Sequence, residues 1–236
     1  MNMTAKTILS ELRSVANPEK AKLLQGFFKT GKGEYAEGDV FLGIVVPVLR
    51  GIVKASAPLP LPEVQKLLDS EYHEARMAGF LFLARRFKTS KTMEERKDVF
   101  EFYLRNARRA NNWDLVDVSC RDIVGEYLLD KDRAVLRMLA ESDNLWEQRI
   151  AIVSTWTFIK HRQLDDTFAL SLKLMHHSHD LMHKAVGWML RETGKKDREA
   201  LTRFLNAHAT QLPRTALRYA IEHYPDAQRR RFMQKK

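Results

Sequence analysis

The sequence predicts an all-α fold, an α-solenoid of antiparallel helix pairs occupying residues 1–236 as one domain. Apolar residues recur at three- and four-residue intervals along almost the whole chain, and no run sustains the two-residue alternation of a half-buried strand. The predicted helices are parted by breaks of two or three residues, which turn consecutive helices back on one another. Related blocks return at a loose period: Tyr72-His73-Glu74-Ala75-Arg76 is echoed by Leu145-Trp146-Glu147-Gln148-Arg149 and by Asp180-Leu181-Met182-His183-Lys184. Trp113 and Trp146 stand 33 residues apart, and Arg149 and Lys184 stand 35 apart, the length of two short helices with their turns. That is the unit of a HEAT-like array, whose stacked pairs leave one concave face.

Helices are predicted over residues 4–16 and 19–29, the second opened by Asn17-Pro18, a cap followed by a first-turn proline. Residues 26–51 then hold six of the ten glycines and read as the loop-rich section. The Gly31-x-Gly33 pair does not make a dinucleotide fingerprint, because the segment before it reads as helix where the fingerprint needs a strand. Pro47 suits the first turn of a short helix reaching about Lys54. The run Ala57-Pro58-Leu59-Pro60-Leu61-Pro62 is a stiff connector that delivers Pro62 to the next helix start. Helices then follow at 62–69, 72–88, 91–109, 112–129, 132–141, 145–161, 164–177, 180–193, 196–208 and 212–223.

Hydrophobic residues make up 44% of the chain, enough for a full core and against disorder. Forty Lys and Arg against thirty Asp and Glu give a formal net charge of +10, which favours a polyanionic partner or a membrane surface. If equivalent repeat positions stack, Arg76, Arg149, Lys184 and Arg214 form a basic stripe along the concave face. Duplex DNA, with about one negative charge per 1.7 Å of axis, suits such an extended surface. The C-terminal Arg229-Arg230-Arg231 and Lys235-Lys236 add nonspecific attraction. Cys120 is the single cysteine, so no internal disulfide is possible and a reducing compartment is the simplest setting. Its position in a helix stripe favours packing over nucleophilic use. The longest strongly apolar run, from Phe41 to Leu49, is broken by Pro47 and is far shorter than the roughly 20 residues a bilayer requires. The start of the chain also lacks the apolar core of a secretory signal. The expectation is a soluble cytoplasmic protein, a monomer. His176, His177, His179 and His183 straddle a helix break with only Asp180 beside them, which reads as a solvated turn before it reads as a metal site.

The chemistry concentrates in Asn111-Asn112-Trp113-Asp114-Leu115-Val116-Asp117. Either asparagine can cap a helix, and Trp113 and Asp117, four residues apart, share one side of it. Trp113 also falls in an apolar stripe with Val116, Cys120, Ile123, Val124 and Tyr127. Plain packing, with Asp117 paired to Arg121, is therefore the competing reading. Three of the four tryptophans stand at a helix start with a charge three or four residues away: Trp113 with Asp117, Trp146 with Arg149, and Trp188 with Lys184 and Arg191. Trp156, inside the apolar run 150–159, reads as packing.

These blocks resemble the AlkD-like family of bacterial DNA alkylation-repair glycosylases, which are built of HEAT-like repeats. The resemblance runs nearly end to end. It is carried by Asn17-Pro18-Glu19-Lys20, Gly31-Lys32-Gly33-Glu34-Tyr35, Phe41-Leu42-Gly43-Ile44 and Trp113-Asp114-Leu115-Val116-Asp117. Ser142-Asp143-Asn144-Leu145-Trp146-Glu147-Gln148-Arg149 and Lys184-Ala185-Val186-Gly187-Trp188-Met189-Leu190-Arg191-Glu192 complete it. What it implies is excision of N3- or N7-alkylated purines from duplex DNA without metal or cofactor, the base staying largely in the duplex. Trp113, Trp188 and Asp117 would line the site and Arg149 would hold the DNA backbone; apart from the resemblance, Arg76, Lys184 and Arg214 by their repeat positions, and Arg191 beside Trp188, are expected to add further DNA contacts. Asn112 stands where some members have another tryptophan, and Val45-Val46 replaces polar residues, which bears on lesion preference and affinity. A purine alkylated at N3 or N7 is already cationic and leaves without a general acid, so one carboxylate can serve where ordinary glycoside hydrolysis uses two. A HEAT-like module that grips branched or damaged DNA without cutting it is the alternative, and a helical peptide scaffold is disfavoured by the charge.

Overall fold

Side chains visible in the sequence set most of the helix starts. In the computed structural model, which describes residues 3–234, Thr4 caps α1 (Ala5–Ser14), and Asn17 caps α2 (Pro18–Phe27) ahead of a first-turn proline. Prolines likewise open α3 (Val46–Ala55) and α4 (Leu61–Leu68), because a first-turn residue has no intrahelical use for an N–H. Next come α5 (His73–Thr89) and α6 (Met93–Arg105), the latter started by a reciprocal capping box of Thr92 and Glu95. A short 3-10 turn at Ala107–Arg109 leads to α7 (Trp113–Asp117), and a π-helical turn at Arg121–Gly125 to α8 (Glu126–Leu128). Then follow α9 (Ala134–Ala140), α10 (Leu145–Lys160), α11 (Asp165–Leu174), α12 (Asp180–Lys196), α13 (Arg198–His208), α14 (Arg214–Ala220) and α15 (Asp226–Gln234). Among the described residues the only β-type pairing is an isolated bridge between Val40 and Tyr72. The fold is all-α, as the sequence predicts. Lys235 and Lys236 lie outside the described residues.

Two compact units divide the chain, Met1–Ser119 and Cys120–Lys236. In the first, α5 is the centre: every residue from His73 to Leu83 is buried, and α1, α3, α4, α6 and α7 pack against it. Enclosed on all sides along these residues, and burying His73, Glu74 and Arg76 among its apolar side chains, the helix has no separate core face, which explains its weak amphipathicity. In the second unit α12 takes that place, touching α10, α11, α13 and α14. Here α10 rests on α12 and α12 on α14, while α9 and α11 pair with α10 and α12, an order consistent with stacked repeats. Gly187 permits the α12–α14 approach, since a Cβ there would lie 2.5 Å from the Ala216 carbonyl oxygen.

One loop of the first unit is held from inside. The Glu74 carboxylate, 1% exposed, accepts the backbone N–H groups of Leu42 and Gly43 at 2.8 Å and of Ile44 at 3.1 Å. Gly43 sits at φ +83, and a Cβ there would come within 2.1 Å of the Asn17 carbonyl oxygen, so the loop closes on α2 only with glycine at this position. Asn17 in turn donates its N–H to Leu42 O at 2.8 Å.

The single helix predicted over 112–129 is not formed. Ser119 Oγ donates back to the Leu115 carbonyl at 2.6 Å, a bond that bends a helix, and the ladder then widens into the π turn. Gly125 is the visible sign of the break: a Cβ there would be 2.6 Å from both Ser154 O and Thr157 Oγ1 of α10. Cys120 is buried, in keeping with packing. The helix α15 lies beyond the last predicted one.

Glu74→Ala should strip three N–H groups, two of them buried, of their acceptor and cost about 3 kcal/mol or more. A urea unfolding midpoint unchanged from that of the parent protein would show that the clasp contributes nothing.

Candidate functional site

The element that carries Trp113 and Asp117 has only five residues, too few to persist alone, and the surrounding structure anchors it. Asn112 caps it, its side-chain oxygen accepting Trp113 N–H at 2.8 Å. Asp114, in the first turn, turns one oxygen to Leu115 N–H at 2.8 Å and the other to His73 Nε2 at 2.9 Å. His73 Nδ1 faces Asp39 Oδ2 at 3.2 Å. Asp39 also takes Arg76 Nη2 at 2.6 Å and Asn111 Nδ2 at 2.8 Å. The result is two carboxylates and two cations in a closed, nearly dry cluster joining the 39–45 loop, α5 and α7. With a carboxylate oxygen on each side, both ring nitrogens of His73 must carry protons. Burial alone would push its pKa down, but the hydrogen bonds it donates to Asp114 and Asp39, with their charges, outweigh that and raise it to about 9. Burial likewise works to raise Asp39, yet the His73 hydrogen bond, the Arg76 charge and Asn111 hold it below the usual carboxylate range.

An aromatic wall stands over this cluster. Phe41 and Phe28 stack on the His73 ring side at centroid distances of 4.4 Å and 5.3 Å, and Phe28 continues into Trp113 at 5.4 Å with planes 27° apart. Phe27, 63% exposed, meets Trp113 edge-on at 6.3 Å. Trp113 and Asp117 are both half-buried, on the same side of α7.

In the second unit two half-buried indoles, Trp156 of α10 and Trp188 of α12, flank the guanidinium of Arg121, which lies 4.7 Å from the first ring centre and 5.8 Å from the second. Lys160 Nζ approaches Trp156 at 4.9 Å. Lys184 pairs with Asp180 at 2.9 Å along α12, with 41% of its side chain exposed. Arg191 pairs with Glu222, and Arg214 donates to Met233 O at 2.6 Å.

With this geometry in view, a sequence profile described as DNA alkylation repair enzyme matches residues 8–224 of the chain. The chain belongs to the DNA alkylation repair enzyme family. Among solved structures it is similar to a predicted DNA alkylation repair enzyme from Enterococcus faecalis. The identity is 18% and the TM-score 0.70, over 89% of this chain and 97% of the other, a likeness of fold. No match is found among curated proteins.

For a DNA alkylation repair enzyme the expected stripe of solvated cations needs correction at two positions. Arg76 is 5% exposed, and besides Asp39 it bonds the carbonyls of Ser70 and Glu71 and the Asn111 side chain. Reaching a phosphate would cost it Asp39, so it belongs to the scaffold beneath α7. Arg149 is also 5% exposed and donates to Leu181 O at 2.9 Å, joining the start of α10 to that of α12. Trp156, read from the sequence as packing, is half-exposed and faces two cations, while Trp146 is buried at 6% exposure. In the histidine turn, His177 Nδ1 and His179 Nδ1 accept backbone N–H groups at 2.9 Å and 3.1 Å, and His183 Nε2 lies on His177 O, so these rings shape the entry to α12. Among the described residues no group of three or more His, Cys, Asp or Glu is placed to hold a metal ion, and no helix is long and apolar enough to cross a membrane. Sequence reasoning missed Asp39, His73 and Phe28 altogether. Their signals were a histidine at a helix start and two adjacent phenylalanines before a glycine-rich loop.

His73 has a folded pKa raised to about 9 against about 6.5 in an unfolded chain, so its contribution to stability is complete below the lower value. It is lost as pH rises through the higher one. The melting temperature of the parent protein should therefore fall between about pH 7 and about pH 10, and a His73→Gln variant should show no such fall of its own. Equal pH profiles for the two proteins would contradict this.

Proposed function

We propose that this protein is a DNA glycosylase that hydrolyses the N-glycosidic bond of cationic N3- or N7-alkylated purines, such as 3-methyladenine and 7-methylguanine, in duplex DNA. The observation that carries the reading is α7, where a half-buried indole and a half-buried carboxylate share one side of a helix pinned by a buried ionic cluster. Family membership supplies the substrate class, damaged DNA.

The chemistry follows from the charge on the leaving group. As the bond from C1′ to the base nitrogen breaks, its electron pair goes to the base and cancels the positive charge already there. No acid is needed. C1′ becomes oxocarbenium-like, and Asp117 stabilises that charge and orients the attacking water, whose proton it receives. A carboxylate about 4 Å from a unit cation, at an effective dielectric near 20, is worth on the order of 4 kcal/mol, roughly a thousandfold in rate. Trp113, beside Asp117, is assigned to the deoxyribose, which it shields from bulk water, and Trp188 is read as a sugar-facing ring of the second unit; half-buried rings of this kind suit a base that stays in the duplex. Lys184, Arg191 and Arg214 supply backbone contacts at the surface. Arg149, enclosed as it is, serves DNA binding by setting α10 against α12. An unmodified purine gains far less, because its departure still lacks a proton.

Asp117→Asn should abolish release of 7-methylguanine from methylated duplex DNA while leaving affinity within a few fold. Undiminished release would remove the catalytic assignment and leave a DNA-gripping module. Lys184→Ala should weaken binding to all sequences and lower the slope of log affinity against log salt by about one, with excision from the bound complex intact. An unchanged salt slope would place Lys184 off the DNA path.

A further inference from the structure

Arg121 is not among the residues assigned above, and its setting is unlike that of any other cation among the described residues, since it alone lies over two indoles. It begins the π-helical turn, and wide turns of this kind recur where a helix has been altered for function. The turn is tied to α10 at its backbone: Thr157 Oγ1 donates to Arg121 O at 2.9 Å, a second donor to a carbonyl that already accepts the Glu126 N–H across the wide turn. Gly125 lets the same turn press against Ser154 and Thr157. The side chain then returns to Trp156, the neighbour of Thr157, and reaches across to Trp188 on α12.

We propose that Arg121 is the positioning residue of Trp188: its guanidinium plane, spread over Trp156 and Trp188, holds the Trp188 indole in one orientation before DNA arrives. This rests on the reading of Trp188 as a sugar-facing ring. The side chain suits the task. A guanidinium is flat and weakly hydrated and can lie against two aromatic faces, whereas a lysine ammonium is a compact, strongly hydrated point charge. Trp156 is the fixed end of the stack, because α10 is buried on nearly every side of it, and Lys160 covers it as well. An indole fixed in advance loses less freedom when the sugar docks, and small displacements of a positioning group are costly in rate.

The test uses the full-length protein labelled with 5-fluorotryptophan, as Arg121→Met and Arg121→Lys variants. The four fluorine resonances are assigned by single Trp→Phe changes. Without DNA, Arg121→Met should shift the Trp156 and Trp188 resonances and leave Trp113 and Trp146 in place. In single-turnover release of 7-methylguanine it should lower the rate of the bound complex by roughly 10- to 100-fold with little change in affinity, and Arg121→Lys should recover only part of that. In a Trp188→Phe background the Arg121→Met change should cost less than about twofold, because both variants remove the same feature. Unmoved resonances, fully additive losses, or a faster Arg121→Met enzyme would each overturn the proposal. The fluorine spectra need no substrate, so they decide the anchoring of Trp188 even if the parent protein released no base, which would instead remove the glycosylase reading.

Discussion

The arrangement rests on four charges that have almost no contact with water. Asp39, His73, Arg76 and Asp114 come from a loop, from one helix twice, and from the short helix that presents Trp113. Burying any one of them alone would be prohibitive, and together they satisfy one another in pairs of opposite sign. Such a set stabilises little relative to a well-packed apolar core, but it has only one good geometry, because each ring nitrogen and each guanidinium edge needs its own oxygen. The cluster thereby dictates where α7 starts and how it is turned.

Rigidity then passes outward by contact. Phe28 and Phe41 lie against the His73 ring, Phe28 lies against Trp113, and the loop that brings Phe41 there is clasped by Glu74 through three backbone N–H groups. A five-residue helix has no stability of its own to contribute. Its indole is nonetheless held, because everything beneath it is over-determined. Groups held in place in this way lose less freedom when a partner docks against them.

The second unit reaches a similar end by different means. There the backbone is distorted in place of being clasped by charge: a π turn, made possible by Gly125, sets Arg121 between two tryptophans of neighbouring helices. The echo of Arg76 in Arg149 and Lys184 is real as a sequence pattern, yet the three side chains do different work. One closes an ionic cluster, one bonds the carbonyl of a neighbouring helix, and one remains at the surface beside Asp180. A repeat period marks equivalent positions, and it carries no information about which oxygens surround each of them.

By itself the sequence determined the all-α class, most helix starts, the loop-rich glycine section and the pairing of Trp113 with Asp117, because periodicity, caps, prolines and four-residue spacing are local properties of the chain. The discrete end of α7, the burial of Arg76 and Arg149, the protonation of His73 and the exposure of Trp156 were decided only by the tertiary structure. Each of these depends on groups between two and several dozen residues away. Whether a polar side chain faces water or a partner of opposite charge is settled by desolvation, and desolvation depends on what the rest of the folded chain places around it.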